Sequence, residues 1–287
     1  MVKLADGDIL TREVLDWKGM HLFHFKSSSC SQKTRMVLNL KGADWTSHEI
    51  DLPTHQNFHP WYLGINPRGL VPTLVVEGDV HIESNDIITL LDARLPQRKL
   101  IPAGMEVRMS ELLRHEDELH LDLRTLTFRF TQPRGREPKP RAALDKYKEG
   151  GSGTVGGTPD PHKQREIAFW ERAASEGLTD EAVRASAGRF KTALNDLDAT
   201  LESQPYLLGS DLTVLDIAWF VYVNRLMLCG YPLARLHPRV AAWFEKLSLL
   251  PELAQEISVP PQIRSAVELN HARQRADGAT LVDVAGL

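Results

Sequence analysis

The sequence predicts an α/β domain with the element order βαβ-ββα, followed by an all-α helical bundle domain. Strand-like and helix-like segments alternate in its first third, whereas the apolar residues beyond it recur mainly with helical spacing. The length of 287 residues agrees with two domains, because one domain usually holds roughly 100–200 residues. We therefore expect an N-terminal extension over residues 1–20, the α/β domain over residues 21–101 and the helical domain over residues 102–259.

The α/β domain is predicted from a strand-helix-strand unit and a following hairpin. A strand over His21–Phe25, a helix over Gln32–Lys41 and a strand over Trp45–Ile50 form the βαβ unit. A hairpin over Val71–Ile82 comes next, and its second strand leads into a helix over Glu83–Leu95.

The helical domain is predicted from long stretches with an apolar period of about 3.6 residues. These stretches are Glu106–Phe130, His162–Glu176, Thr179–Glu202, Thr213–Cys229 and Pro238–Leu249. Between the first two, residues 132–161 are rich in Pro, Gly, Lys and Arg, which predicts a mobile surface loop, with a functional lid as the alternative. Residues 260–287 form a C-terminal tail that is either a packed helix or a frayed end.

The composition argues against several functional classes. Hydrophobic residues make up 42% of the chain and charged residues 25%, as in ordinary globular proteins. The formal charge of −4 lacks the basic excess that binding to a phosphate backbone requires, so we expect no nucleic-acid partner. No apolar run of about 18 residues occurs, and we therefore expect no membrane span.

The cysteines favour a reducing compartment. Only Cys30 and Cys229 occur, far apart in the sequence, which supports neither a disulfide framework nor a structural zinc site. Charged residues interrupt the first 20 residues, unlike the apolar core of a secretion signal. We therefore expect a cytoplasmic protein.

The strongest chemical signal is the cluster Ser27–Ser31, four serines and a cysteine between the first strand and its helix. The N–H groups at a helix start have no partner within the helix, and the helix dipole adds about half a positive charge, so this position stabilises a thiolate or another anion. The hydroxyl of Ser28 or Ser29 could add a charge-assisted hydrogen bond. The alternative is that these serines only cap the helix.

Two further segments could bind a peptide ligand. Val71 and Pro72 precede a strand, and a cis bond between them would turn the neighbouring backbone groups outward, where Val71 could pair with an extended peptide. Glu83 and Ser84 stand at a helix start, where Ser84 and the backbone donors suit a carboxylate and Glu83 suits an ammonium. An ordinary N-cap with a neighbouring Glu is the alternative for this second pair.

Other motifs are expected to be structural. His115 and His120 are five positions apart, about 140° around a helix, and not four apart as in zinc-binding helices, so we expect no metal site. His24 is expected to be a packed histidine and not a base. Thr213–Asp216 predict a capping box whose loss should cost about 1–2 kcal/mol.

In combination these motifs resemble the cytosolic glutathione transferases, which have a thioredoxin-like first domain and an all-helical second domain. The segment Phe25–Ser31 followed by Arg35 resembles the zeta-class Ser-Ser-Cys-Ser motif, and the similarity covers about residues 20–257. The resemblance implies glutathione as the cofactor and a homodimer. It also implies that Ser28 activates the glutathione thiol, with Ser29 and Cys30 alongside as catalytic residues.

The resemblance further implies which residues bind glutathione. Val71 and Pro72 match the cis-proline segment that pairs with the cysteinyl backbone. Glu83 and Ser84 match the γ-glutamyl site, and Gln56 is assigned to the glycine carboxylate.

The small electrophilic substrate is expected against the helix Glu106–Phe130. Arg108, Glu111 and His115 are the candidates there, and the sequence does not rank them.

Three alternatives for the activity stay open. The run Ser28–Arg35 also resembles the bacterial tetrachlorohydroquinone reductive dehalogenases, in which the cysteine matching Cys30 resolves a glutathionyl adduct. Bacterial β-aryl etherases are a further relative. The pair Pro60-Trp61, together with the long insertion over residues 132–161, also resembles the ganglioside-induced differentiation-associated protein group. The remaining alternative is a non-catalytic binding protein with the transferase fold that recruits a partner through residues 132–161 or the tail.

Overall fold

The computed structural model describes residues 2–133, 139–259 and 261–287. The chain forms two compact units, Met1–Gln97 with Glu137–Gly177, and Arg98–Arg136 with Leu178–Leu287. Among the described residues, no helix combines the length and the apolarity that crossing a membrane requires.

The secondary structure contains the predicted elements and adds others near the N-terminus and after residue 140. The strands β1 to β7 are Val2–Lys3, Met20–His24, Thr46–Glu49, Thr73–Val76, Asp79–Ile82, Thr154–Val155 and Thr158–Pro159. The helices α1 to α14 are Ser29–Lys41, Pro60–Leu63, Ser84–Arg94, Glu106–Glu118, His120–Thr131, Arg141–Glu149, Pro161–Glu176, Asp180–Thr200, Val214–Leu228, Leu233–Leu236, Pro238–Leu247, Pro251–Ile257, Pro261–Ala276 and Leu281–Ala285.

A mixed sheet lies at the centre of the first unit. Its strand order is β1-β5-β4-β2-β3, in which β2 and β3 are parallel and all other neighbours are antiparallel. The helix α1 connects the parallel pair, because parallel strands need a crossover connection. The hairpin of β4 and β5 followed by α3 completes the βαβ-ββα order, so the predicted fold class is confirmed.

The helix α1 has a defined start and end. It begins after the N-cap Ser28, whose side chain accepts a hydrogen bond from the N–H of Ser31. It ends at Gly42, which adopts the left-handed φ of 58° that glycine tolerates best. An ion pair between Lys41 Nζ and Asp92 Oδ1, 2.5 Å long, joins its last turn to α3.

Residues 1–20 belong to the first unit, which differs from the expected extension outside the domain. The strand β1 pairs with β5, and Leu4 and Val14 are buried in the hydrophobic core beside the sheet. The segment also packs tightly against Gly64, where an added Cβ would collide with Thr11 Oγ1. Before β2, the regular structure of this segment consists of the two-residue β1 and two short 3₁₀ turns, so its sequence carries no helical or strand period that would predict it.

The expected surface loop over residues 132–161 differs from the structure over its described part 139–161. The helix α6 and the hairpin β6–β7 occupy this part, and together with α7 it belongs to the first unit and not to the helical domain. Ala143, Leu144 and Tyr147 bury one face of α6, and this helical spacing outweighs the Pro- and Gly-rich composition around it. Residues 134–138 lie outside the described residues.

The second unit is helical, as predicted. The helix expected over Glu106–Phe130 is divided at Leu119 into α4 and α5. The tail forms α13 and α14, and the side-chain amides of Asn270 and Gln274 donate to the carbonyl of Phe130 at 2.7 and 3.0 Å. The tail therefore satisfies a carbonyl at the end of α5 that has no partner within its own helix.

Candidate functional site

Three segments identified in the sequence meet at one end of the sheet. Thr73 of β4 stands opposite Phe23 of β2 and opposite Ile82 of β5. The loop before α1 follows β2, Pro72 directly precedes Thr73, and Glu83 directly follows Ile82. The strand register therefore brings the start of α1, the Val71–Pro72 segment and the start of α3 to the same end.

Ser28 stands at the start of α1 with a proton still available for donation. Its Oγ accepts a hydrogen bond from the N–H of Ser31 at 3.3 Å, and its own N–H donates to the carbonyl of Phe25 at 3.1 Å. An accepting hydroxyl keeps its own O–H as a donor, so Ser28 can donate to an anion at the helix start. Ser28, Ser29 and Cys30 are partly exposed, whereas the following residues of α1 are buried.

Arg35 fixes the loop that leads to Ser28. Its Nη2 donates to the carbonyl of Lys26 at 2.9 Å, and its Nη1 donates to the carbonyl of Phe25 at 3.2 Å. The N–H of Phe25 in turn donates to Ser31 Oγ at 3.3 Å. These bonds tie the loop to the helix it precedes, so the position of Ser28 is set before any ligand arrives.

His24 is a packed histidine, as predicted, and it is neutral. Its Nε2 lies 2.7 Å from Ser47 Oγ, and its Nδ1 lies 3.1 Å from Nη1 of Arg35. Because a guanidinium only donates, Nδ1 is the acceptor and the ring proton is on Nε2. Burial, together with the charges of Arg35 and His48, lowers the pKa of His24 to about 4.

The Val71–Pro72 peptide bond is cis, in agreement with the resemblance. Asn66 fixes this segment, because its Nδ2 donates to the carbonyl of Leu70 and to Thr73 Oγ1, both at 2.9 Å. The N–H and the carbonyl of Val71 make no hydrogen bond with any residue that the structure describes. This backbone therefore has a donor and an acceptor to offer to an extended peptide.

Glu83 and Ser84 stand at the start of α3. Glu83 adopts a φ of 70°, a value that is costly for a residue other than glycine. Arg68 Nη1 donates to its Oε1 at 2.5 Å, while its Oε2 accepts no hydrogen bond from the described part of the chain. Lys33 of α1 donates to Asn85 Oδ1 at 2.7 Å, which ties the starts of the two helices together.

Gln56 is not bonded to the three converging segments in the described residues. Its Oε1 accepts from the N–H of Asp51 at 2.8 Å, and its backbone N–H donates to the carbonyl of Asp51 at 3.0 Å. These bonds leave the Nε2 donors of Gln56 for a ligand.

The residues expected to face the electrophile lie on α4 of the second unit. Arg108 and Glu111 form an exposed ion pair of 3.2 Å, and His115 lies 3.9 Å from Glu118. Across residues 2–133, 139–259 and 261–287, no group of His, Cys, Asp and Glu side chains is arranged to hold a metal ion.

Sequence reasoning missed the contact between Arg68 and Asp160. Nε and Nη2 of Arg68 donate to the two carboxylate oxygens of Asp160 at 2.7 and 2.9 Å. Arg68 therefore joins Glu83 to the segment 137–177. The sequence held one usable signal, because Asp160 followed by Pro161 is a typical helix start.

Two protein-family models match this chain. The N-terminal domain of glutathione S-transferase matches residues 27–94, and the C-terminal domain of glutathione S-transferase matches residues 180–246. The first match contains all three segments that meet at the end of the sheet.

Individual relatives agree with these two matches. The tetrachloro-p-hydroquinone reductive dehalogenase of Sphingobium chlorophenolicum is 25% identical over 79% of this chain and 90% of its own length. Glutathione S-transferase 1 of Dianthus caryophyllus is 38% identical, over 31% of this chain and 40% of its own length. The β-etherase LigF of Sphingobium sp. strain SYK-6 shares the fold, with a TM-score of 0.65 at 22% identity over 83% of this chain and 98% of its own. Both units therefore contain a match to a glutathione S-transferase domain, in the order that the fold shows.

Proposed function

We propose that this protein is a glutathione-dependent enzyme in which the Ser28 hydroxyl stabilises the glutathione thiolate for attack on a small electrophilic substrate. The observation that carries the proposal is the meeting of Ser28, Val71 and Glu83 at one end of the sheet, each with a hydrogen-bonding group that no described residue uses. Val71 is buried, and a buried backbone N–H and carbonyl are normally satisfied by a hydrogen-bond partner.

The available groups fit the three parts of a γ-glutamyl tripeptide. The backbone of Val71 pairs with the cysteinyl residue in the manner of an added strand. Oε2 of Glu83 accepts from the α-ammonium, and Ser84 with the first N–H groups of α3 donates to the α-carboxylate. Nε2 of Gln56 donates to the glycine carboxylate.

Bound glutathione supplies the nucleophilic thiolate. A thiol with an ordinary pKa of about 8.5 is only about 3% ionised at neutral pH. Ser28 donates a hydrogen bond to the charged sulfur, and the dipole of α1 favours the same charge state. A decrease of about two units in the thiol pKa would correspond to about 2.7 kcal/mol.

Two measurements test this function. Calorimetry should detect glutathione binding, and a pH titration of the thiolate absorbance in the complex should give a lowered thiol pKa. Ser28→Gly removes the hydroxyl but leaves an acceptable N-cap, so it should raise the bound thiol pKa and lower turnover without melting α1. Ser28→Thr retains the hydroxyl and is the matched control. If Ser28→Gly leaves both quantities unchanged, Ser28 is not the activating residue.

Cys30 supports a second candidate, a reductive dehalogenation. It is a partly exposed thiol in the first turn of α1, and the relative named as a reductive dehalogenase aligns over 90% of its own length. In this activity the glutathione thiolate first displaces the halide from the substrate. Cys30 then attacks the sulfur of this adduct, the released carbon takes up a proton, and the two sulfurs are oxidised to a mixed disulfide, which a second glutathione reduces to restore Cys30. Cys30→Ala should abolish turnover of aryl halides and spare simple thiol addition to an electrophile; equal rates on aryl halides would exclude this candidate.

The non-catalytic alternative predicts a different result in the same experiments. A partner-binding scaffold would show no heat of glutathione binding and no turnover. The homodimer that we also propose is checked by sedimentation, in which a monomer at all concentrations would contradict it.

A further inference from the structure

Arg68 lies between two carboxylates from distant parts of the first unit. It donates two parallel hydrogen bonds to Asp160 and one to Glu83. The side chains are largely buried, with exposed fractions of 11% for Arg68, 7% for Asp160 and 27% for Glu83. A bidentate guanidinium–carboxylate pair of this kind has a fixed geometry, so Asp160 sets the orientation of Arg68.

The charges of this group do not cancel. Burial would raise the pKa of Asp160, but the hydrogen bonds and the charge of Arg68 lower it overall, so Asp160 is ionised at neutral pH. Burial lowers the pKa of the neighbouring His162, which is therefore neutral, and Glu166 lies 3.8 Å from its Nε2. The single positive charge of Arg68 therefore faces the two carboxylates of Asp160 and Glu83. The group as a whole carries a net negative charge beside Glu83.

Asp160 is held in place by its own segment. It is the N-cap of α7, where its Oδ1 accepts from the N–H of His162, and its N–H donates to the carbonyl of Gly153 at 3.1 Å. The Tyr147 hydroxyl of α6 donates to the carbonyl of Arg68 at 2.6 Å. The segment 139–177 therefore contacts both the side chain and the backbone of Arg68.

We propose that Asp160 is a positioning residue for the γ-glutamyl ammonium of glutathione, acting through Arg68 on Glu83. Asp160 occupies the Nε–Nη2 edge of the guanidinium. Arg68 therefore donates to Glu83 through Nη1 alone and leaves Oε2 of Glu83 for the ligand. Without the Asp160 charge, Arg68 would pair fully with Glu83 and neutralise the carboxylate that the ammonium needs. The segment 139–177 is then part of the ligand site and not an appendage of it. This inference rests on the proposed glutathione function.

The test compares glutathione with glutaryl-cysteinyl-glycine, which differs only in lacking the α-ammonium. Asp160→Asn keeps the size of the side chain and a good N-cap for α7, so the fold should be retained. We expect the Kd for glutathione to rise about tenfold in this variant, while the Kd for the analogue stays within about twofold. Asp145→Asn, at an exposed position of α6, is the matched control and should change neither Kd.

A double variant separates positioning from general loss of structure. In a Glu83→Gln background, which lacks the carboxylate that takes the ammonium, Asp160→Asn should no longer change the ratio of the two Kd values. Equal weakening of both ligands by Asp160→Asn, or no weakening of either, would overturn this inference and leave the proposed function intact. If the wild-type protein binds neither glutathione nor the analogue, the proposed function itself fails.

Discussion

The hydroxyl of Thr154 donates a hydrogen bond of 2.7 Å to the carboxylate of Asp8, although 146 residues separate the two. The same carboxylate accepts from the N–H groups of Gly156 and Gly157 at 2.7 and 3.1 Å and from that of Ala5 at 2.8 Å. Asp8 is completely buried. One carboxylate therefore fastens the N-terminal segment to the hairpin β6–β7, and through it to the segment that carries Asp160.

We expect this connection to weaken in acid. Burial would raise the pKa of Asp8, but the hydrogen bonds from Thr154 and three backbone N–H groups lower it overall, below the ordinary 3.8. A carboxyl with a lowered folded-state pKa stabilises the protein above its unfolded pKa and loses this effect as the pH falls through its folded pKa. Hydrogen exchange at Gly156 and Gly157, corrected for intrinsic rates, should therefore stay slow near neutral pH and accelerate only below about pH 4.

Replacement of the carboxylate should reproduce the acid effect at neutral pH. Asp8→Asn leaves one acceptor for four donors, and we expect it to cost about 1–3 kcal/mol of local stability and to speed exchange at Gly156 and Gly157. Asp6→Asn is the control, because Asp6 lies two positions away and its side chain is 78% exposed. Slow exchange at both glycines in Asp8→Asn would show that the carboxylate does not hold the hairpin.

The ion pair of Lys41 and Asp92 makes a second prediction, about the packing of α1 on α3. Both side chains are buried, with exposed fractions of 0% and 4%. Lys41→Met removes the cation that lies 2.5 Å from the buried Asp92 carboxylate, so it should lower the free energy of unfolding by about 3–5 kcal/mol. The double variant Lys41→Met with Asp92→Leu should recover most of this loss in urea unfolding; a double variant as unstable as the single one would contradict a charge-burial cause.

The position of the site could be predicted from sequence because it depends on local signals. Ser28 and Gly42 mark the two ends of α1 by their capping chemistry, and both bounds follow from single residues. Pro72 and Glu83 directly flank the two strands of a hairpin, so the hairpin register places them side by side, and the pairing of β4 with β2 brings both to the end of β2. Short-range rules were sufficient to place each residue on its own element, whereas the pairing of Phe23 with Thr73 joins strands that lie far apart in the sequence.

Other features could not be predicted because they depend on partners far along the chain. Asp160 pairs with Arg68 across 92 residues, and no sequence pattern near either residue identifies its partner. The division of the long helix at Leu119 also has no local mark, since neither Gly nor Pro stands there. In residues 139–161, the composition suggested a loop. The chain forms α6 there because burial of one apolar face, which includes Tyr147, stabilises the helix.

Arg35 makes a third prediction, because it connects the fold to the chemistry. Arg35→Lys keeps the positive charge but loses the planar guanidinium. Its two Nη atoms contact the carbonyls of Phe25 and Lys26 and the ring of His24 at the same time. We expect the loop before Ser28 to loosen, with the bound thiol pKa rising toward its free value and kcat falling about tenfold, while the Kd for glutathione changes little. A rise in Kd with an unchanged kcat would mean that Arg35 serves binding and not the placement of Ser28.

Asp216 makes the last prediction, about the second unit. It is completely buried and accepts four hydrogen bonds, from the N–H and Oγ1 of Thr213, the N–H of Leu207 and Nε1 of Trp243, at 2.8 to 3.1 Å. The two bonds from Thr213 are the predicted capping interaction at the start of α9, and the other two join that helix to Leu207 and Trp243. Asp216→Asn has only one acceptor oxygen for these donors, so we expect a loss of about 2–4 kcal/mol, more than for a cap alone.

The pH dependence of this loss identifies its cause. Burial raises the pKa of Asp216 above 3.8 in spite of the four hydrogen bonds. A group with a raised folded-state pKa contributes stability that is complete below its unfolded pKa and is lost as the pH rises through its folded pKa. The difference in unfolding free energy between wild type and Asp216→Asn should therefore be largest near pH 4 and shrink toward neutral pH in urea titrations, whereas Thr213→Ser, which keeps the cap, should follow the wild type. A difference that is constant with pH would show that the lost hydrogen bonds act alone and that charge burial at Asp216 costs the fold nothing.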